Sequence, residues 1–381
     1  MKVALLVTDE REPFKKYEMT EPYFGAAPES LLQGFVNFPG LELHIVSCIQ
    51  KPARSSPSKL ANNIWFHSVH VPKLGWMRTL YQGCVRGIRR KLKEIQPDIV
   101  HAQGTERECA ISAVMSGFPN VMTLHGIMRA QARLLKSKPF TFYWLAQRLE
   151  TFALRRTDGV FCNSKYTEDT VQPLTRRTWR VSNPIREKFF CDPTGSPPPG
   201  NPILLNVGVV CVRKRQNELL KVARELNQEG LQFQLQFLGA ASDTTPYGAV
   251  FLDSIRSSQP FATYPGFKDI HELINSFDQA SALIHVPSEE TFGLVVAEAL
   301  ARNVKFFGFR VGGIGDIAGG VDGSVLVNDG DWDGLKAALR DWIRAGSPRP
   351  RNASSVMRLR YYPREIARQH MEIYREVVGQ R

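Results

Sequence analysis

The sequence predicts an α/β protein of two parallel-sheet domains, and three observations carry that reading. Short apolar runs rich in β-branched residues alternate with longer amphipathic stretches, the pattern occurs once in each half, and a proline- and glycine-rich segment separates the halves. Strand, helix and strand repeated at this spacing call for parallel sheets covered on both faces. A length of 381 residues also exceeds what one hydrophobic core usually organises.

In the first half the predicted strands are KVALLVT, LELHIVSC, DIVHAQ, VMTLHG and GVFCNS; in the second they are PILLNVG, FQLQFLG, SALIHV, VKFFGF and GSVLV. Each spans four to eight residues and is followed by polar or glycine punctuation. Amphipathic segments such as LYQGCVRGIRRKLKEI and NELLKVARELNQEG lie between them and read as covering helices. Proline and glycine crowd the stretch from Asn183-Pro184 to residue 202, where neither helix nor sheet can continue. The expected division is therefore 1–182 for an N-terminal domain, 183–202 for a linker, 203–357 for a C-terminal domain and 358–381 for a closing helix. In that helix Ile366, His370, Ile373 and Tyr374 recur at helical spacing. Two such domains would face each other across a cleft bordered by the carboxyl ends of both sheets, where open α/β sheets bind ligands.

Composition narrows the function classes. A hydrophobic content of 43% and a charged content of 23% suit a globular protein. The six cysteines, at 48, 84, 109, 162, 191 and 211, include no CxxC pair and no metal-ligand spacing, as expected of free thiols in a reducing compartment. The opening apolar run is too short for a signal peptide, so a cytoplasmic location is expected. The net charge of +12 is lopsided: residues 1–200 hold 28 basic and 17 acidic side chains, whereas residues 201–381 hold 21 and 20. From 51 to 185 the balance is 22 against 8. A one-sided basic field points to an anionic partner. Nucleic acid is not expected, because no reading motif or interleaved aromatics accompany the charge. Arg86, Arg89, Arg90 and Lys93, and the segment MRAQARLLKSKPFTFYWL, mix cations with apolar side chains and suggest an anionic membrane surface instead.

The segment most expressive of chemistry is SEETFGLVVAEAL, residues 288–300. Glu290 is expected in a strand-to-helix turn, with Thr291, Phe292, Gly293 and Leu294 opening the helix through unpaired main-chain N–H groups that suit an anion. Glu298, eight residues on, is expected two turns farther along, near the same side.

The pair Glu290 and Glu298, the FGL between them and the following ALARNVKFFGFRVGGIGDIAGG resemble the retaining nucleotide-sugar glycosyltransferases of GT-B family four. GFKDIHELINSFDQASALIHVPS and the closing helix extend the likeness, and PDIVHAQG, VMTLHG and GVFCNSKYTEDTV carry it more weakly into the first half. The resemblance implies the GT-B fold of two Rossmann-like domains. It also implies metal-independent transfer of a hexose or N-acetylhexosamine, with retention, from a nucleoside-diphosphate sugar to a glycan or lipid-linked acceptor. No cofactor is implied, and the enzyme is expected in the cytoplasm or peripherally at the inner membrane face.

Carried over residue by residue, Glu290 would contact the donor sugar, Glu298 the ribose, and the backbone of Phe292, Gly293 and Leu294 the diphosphate. Thr291 stands where the family usually has glycine. In NVGVVCVRKRQ, Gly208 and Lys214 match the family's glycine and its diphosphate-neutralising lysine, but Val209 replaces its arginine, leaving Arg213 or Arg215 to compensate. His125 resembles the reaction-centre histidine, and His101 is expected to line the cleft. Gly313, in GGIGDIAGG, would line the donor sugar, while Gly25 lies where backbone approaches both substrates. Asp331-Trp332-Asp333 spells a metal-binding DxD but reads as a helix cap, so no metal is expected. A sugar-nucleotide binder that has lost transfer is the alternative reading.

Overall fold

The computed structural model describes residues 1–54, 58–193 and 200–380, so positions 194–199 of the expected linker lie outside the described residues. The chain divides into two compact units, Met1–Arg186 with Tyr361–Arg381, and Glu187–Arg360.

Among the described residues the first unit holds eight strands: β1 Lys2–Leu6, β2 Glu42–Ile49, β3 Lys59–Ala61, β4 Ile64–His70, β5 Ile99–Gln103, β6 Asn120–Leu124, β7 Gly159–Cys162 and β8 Thr178–Arg180. Their order is β3-β4-β2-β1-β5-β6-β7-β8, parallel throughout except for the edge pair β3 and β4. Central strands β1, β5, β6 and β7 are almost wholly buried, which explains their largely apolar composition, the polar exceptions in β5 and β6 being hydrogen-bonded. Helix Gln82–Ile95 turns Val85, Ile88, Leu92 and Ile95 to the core and leaves Arg86, Arg89, Arg90 and Lys93 exposed.

The closing helix Pro363–Gly379 belongs to this unit and buries Ile366, His370, Ile373 and Tyr374. Gly34 makes its close seating possible, since a Cβ there would fall 2.2 Å from the Pro363 carbonyl oxygen. Tyr374 meets His101 through its hydroxyl, 2.5 Å from Nδ1, and Thr123 Oγ1 lies 2.8 Å from Nε2. His101 also stacks on Phe161 and His370 and is fully buried. It is a satisfied core histidine under the closing helix, and the expectation that it lines a cleft is corrected: side chains alternate along β5, and residue 101 points into the layer that the helix covers.

The second unit contains β9 Ile203–Val207, β10 Gln234–Leu238, β11 Ala262–Gly266, β12 Ala282–His285, β13 Lys305–Phe309 and β14 Ser324–Val327, ordered β11-β10-β9-β12-β13-β14 and all parallel. Its first residues form the 3-10 turn Glu187–Phe190, with Phe189 packed on Phe277. Arg302, paired with Asp278 at 2.6 Å, donates to the carbonyls of Phe189 and Cys191. The start of the proline-rich segment is thus pinned to this unit by a buried guanidinium whose donors are divided between a carboxylate and the backbone.

Candidate active site

In the second unit β9 and β12 are neighbours, so the loops at their carboxyl ends meet. The chain leaves β9 at Gly208, whose φ of 148° belongs to glycine, and passes through the 3-10 turn Val212–Lys214. The Ser288 N–H donates to the Arg213 carbonyl at 2.8 Å, and Arg213 Nη1 donates to the Glu289 carbonyl at 3.1 Å, joining the two loops. Lys214 Nζ then donates to Glu290 Oε2 at 2.6 Å. His285, the last residue of β12, completes the cluster: its Nε2 is 3.3 Å from that same oxygen and 3.4 Å from Lys214 Nζ.

Burial by itself would raise the Glu290 carboxyl, but Lys214 and the contact with His285 outweigh it and hold the group well below the usual carboxylate range. Burial, reinforced by Lys214, pushes His285 down to about 4. The cluster at neutral pH is therefore an ionised Glu290 beside a neutral imidazole. Burial raises neighbouring Glu289, against the pull of Arg213.

Two glycines shape the loops beside Glu290. Gly293, at φ 100°, caps the helix Leu294–Ala301. Gly313 lets a second loop close in: its N–H donates to the Glu290 carbonyl at 3.0 Å, and a Cβ there would fall 2.4 Å from the Thr291 carbonyl oxygen. Thr291 and Phe292 are buried between these loops.

The helix geometry corrects two expectations. Because residue 293 is left-handed, the helix opens at Leu294 rather than Thr291, while Glu290 lies in the strand-to-helix turn, as expected. Glu298 is then the fifth helical residue and buried, one turn inside rather than two turns along a shared face. Of the two arginines expected to stand in at Val209, Arg215 is drawn off to Asp329 at 2.5 Å and lies over the Phe309 ring, and Arg213 faces Glu289. Val209 itself is 61% exposed. Asp331 caps the helix Trp332–Arg344, accepting from the Gly334 N–H, as the cap reading of the DxD expected. Among the described residues no cluster of three or more His, Cys, Asp or Glu is placed to hold a metal ion.

In the first unit, His125 follows β6, and its Nε2 lies 2.8 Å from Gln103 Oε1 at the end of β5. Burial lowers the imidazole to about 4, so it is neutral at physiological pH. Gly25 precedes the helix Ala26–Phe35 on the chain leaving β1, two strands from β6, with Glu10 Oε1 3.8 Å from where its Cβ would be. His285, Gln103, Glu106 and Glu10 were not predicted. The available signal was position, since all four lie at or just past the carboxyl end of a strand.

Residues 30–187 match the model described as Glycosyltransferase Family 4, and residues 192–358 match Glycosyl transferases group 1. A relative described as an uncharacterised glycosyltransferase of Methanocaldococcus jannaschii is 22% identical over 252 residues, covering 65% of each chain. Among solved structures, sucrose-phosphate synthase from Thermosynechococcus elongatus superposes with a TM-score of 0.77 at 17% identity over the whole of both chains. Anabaena HepE in complex with UDP-glucose gives 0.69 at 16% identity, over 98% of this chain and 99% of that one. At such identities the structural likeness speaks for the fold.

Proposed function

Since the chain belongs to the GT4-type glycosyltransferases and has their GT-B fold, we propose that it transfers a hexose or N-acetylhexosamine from a nucleoside-diphosphate sugar to an acceptor hydroxyl, with retention and without a metal. The observation that carries this reading is the Lys214–Glu290–His285 cluster beside the helix start at Gly293. Lysine has three donors, so Lys214 can hold Glu290 and still offer N–H groups to a departing diphosphate. Kept ionised, Glu290 accepts a donor-sugar hydroxyl, while the backbone at Phe292, Gly293 and Leu294 meets the phosphates. Glu298 takes the ribose, and Gly208 and Gly313 leave room for the donor; His125 and Gly25 keep the catalytic and substrate-approach roles that the resemblance gives them.

In the step itself the anomeric C–O bond breaks and the diphosphate leaves with the electron pair. The acceptor oxygen bonds to the same face of the anomeric carbon, and its proton passes to the leaving oxygen. The protein contributes position and fixed charge. That HepE was solved with UDP-glucose makes a uridine donor the first to try. Incubation with UDP, GDP and ADP sugars, scoring thermal stabilisation and turnover separately, tests the reading. Stabilisation without turnover would instead favour a binder that has lost transfer.

The acceptor in this reading is a glycan or a lipid-linked molecule at an anionic membrane surface. Leu135, Phe140 and Phe142 are 50%, 81% and 43% exposed, on the same segment as the exposed Arg133, Lys136, Lys138 and Arg148. Such a mixture suits the interface of an anionic bilayer. No helix among the described residues is long and apolar enough to cross a membrane.

A further inference from the structure

Two acids in the first unit invite comparison. Glu150, on the helix Phe142–Leu154, is fully engaged by the protein: it accepts from the Thr105 hydroxyl at 2.7 Å and from the N–H groups of Met128 and Arg129 at 3.0 and 3.2 Å, tying down the start of the helix Met128–Leu134. It is a structural carboxylate.

Glu106 has a different setting. It lies just past the carboxyl end of β5, part-exposed, and forms no ion pair among the described residues. Its carboxyl occupies space that two glycines leave open: a Cβ at Gly104 would fall 2.2 Å from Oε2, and a Cβ at Gly126 would fall 3.1 Å from Oε1. Gly126 directly follows His125, so the acid borders the residue assigned to the reaction centre. Its favourable contacts are main-chain N–H groups of Thr105, Gly126 and its own residue. These orient a carboxylate without the cation that would neutralise it, and carboxylates are good acceptors for sugar hydroxyls.

We propose that Glu106 is an acceptor-binding residue, whose carboxylate receives a hydrogen bond from a hydroxyl of a pyranose acceptor brought to His125. The assignment rests on the glycosyltransferase reading above. Of the groups facing Glu106, His125 is neutral with its pKa lowered to about 4 and burial keeps the Cys109 thiol protonated, while burial also raises Glu150 against the pull of its three donors, so the inflection assigned to Glu106 is the one that Glu106→Gln removes. Burial chiefly, with Glu150 adding repulsion, brings Glu106 to about 7, so the accepting form grows as pH rises through neutrality.

The test uses the full chain, whichever UDP, GDP or ADP sugar it turns over, and D-glucose, D-mannose and N-acetylglucosamine as added acceptors. For Glu106→Gln we expect an unchanged fold by circular dichroism and a donor KM within about twofold. Acceptor kcat/KM should fall at least about tenfold, and its rise with pH through about 7 should vanish, with Glu106→Asp restoring part of both. An unchanged acceptor KM, or an inflection that persists in Glu106→Gln, overturns the assignment. If the wild type turns over a donor but uses none of the three sugars, carbon-13 NMR of the glutamate carboxyls decides. The Glu106 signal must then shift when a pyranose is added with donor nucleotide present, and a signal indifferent to every sugar overturns the proposal. A wild type that neither binds nor turns over any donor fails earlier, at the glycosyltransferase reading itself, and takes this assignment with it.

Discussion

Lys214 Nζ and Glu290 Oε2 stand 2.6 Å apart although 76 positions separate them in the chain, and His285 touches both. The pair is mostly buried, with side chains 14% and 13% exposed. Removing either partner strands the other charge. We therefore expect Lys214→Met and Glu290→Gln each to lower turnover at least about a hundredfold, the scale for loss of one preorganised charge contact. Steady-state kinetics with the established donor checks this, and near-normal rates in Glu290→Gln would remove that residue from the site.

Histidine 285 reports on the same cluster. Burial and then Lys214 hold it at about 4, while Glu290 works in the opposite direction. In Lys214→Met the repulsion disappears and the attraction remains, so the imidazole should titrate nearer its ordinary value. Proton–nitrogen NMR across pH 4–8 reads the shift, and an unmoved titration would show that Lys214 does not set it.

Gly313 is expected to tolerate no side chain. A Cβ there would lie 2.4 Å from the Thr291 carbonyl oxygen and 2.8 Å from Phe292 Cα, both main-chain atoms that cannot swing aside. Gly313→Ala should therefore push the Glu290–Phe292 loop away, weakening donor binding at least about tenfold and lowering Tm by several degrees. Gly320→Ala is the control: its Cβ would meet nothing within 4 Å, though its φ of 71° still carries a backbone cost.

Stability should depend on pH through Glu106 with a definite sign. Its folded value of about 7 lies above the ordinary 4.5, so between these limits the folded chain binds more protons than the unfolded one. The stability it contributes is complete below about 4.5 and is lost as pH rises through 7. Glu106→Gln, which cannot ionise, should gain in Tm relative to wild type on going from pH 5 to pH 8. A Tm difference that is constant with pH would contradict the raised value.

Vesicle sedimentation checks the membrane surface. Binding should increase with anionic lipid and fall with salt. It should drop at least about tenfold when Lys136 and Lys138 become glutamine, and again when Phe140 and Phe142 become serine. Equal partitioning onto neutral and anionic vesicles would point to an acceptor in solution.

The sequence by itself determined the two parallel sheets and the positions of their site loops. Strands buried on both faces must be largely apolar, as in β1, β5, β6, β12 and β13, and the residues past their ends are the ones free to be polar. Four strands escaped that reading. β4, IWFHSVH, mixes polar with apolar residues, β3 and β8 are three-residue edge strands, and β11, ATYPG, carries a proline that only an edge position accommodates. A partly solvated strand has no unbroken apolar run to announce it. Only the tertiary structure decided that Lys214 pairs with Glu290 and His285, that Arg215 is drawn off to Asp329, that His101 belongs to the core beneath the closing helix, and that Glu106 fills the space over two glycines. Each depends on which strands become neighbours and which loops then meet, and strand order is fixed by long-range packing that no local pattern encodes.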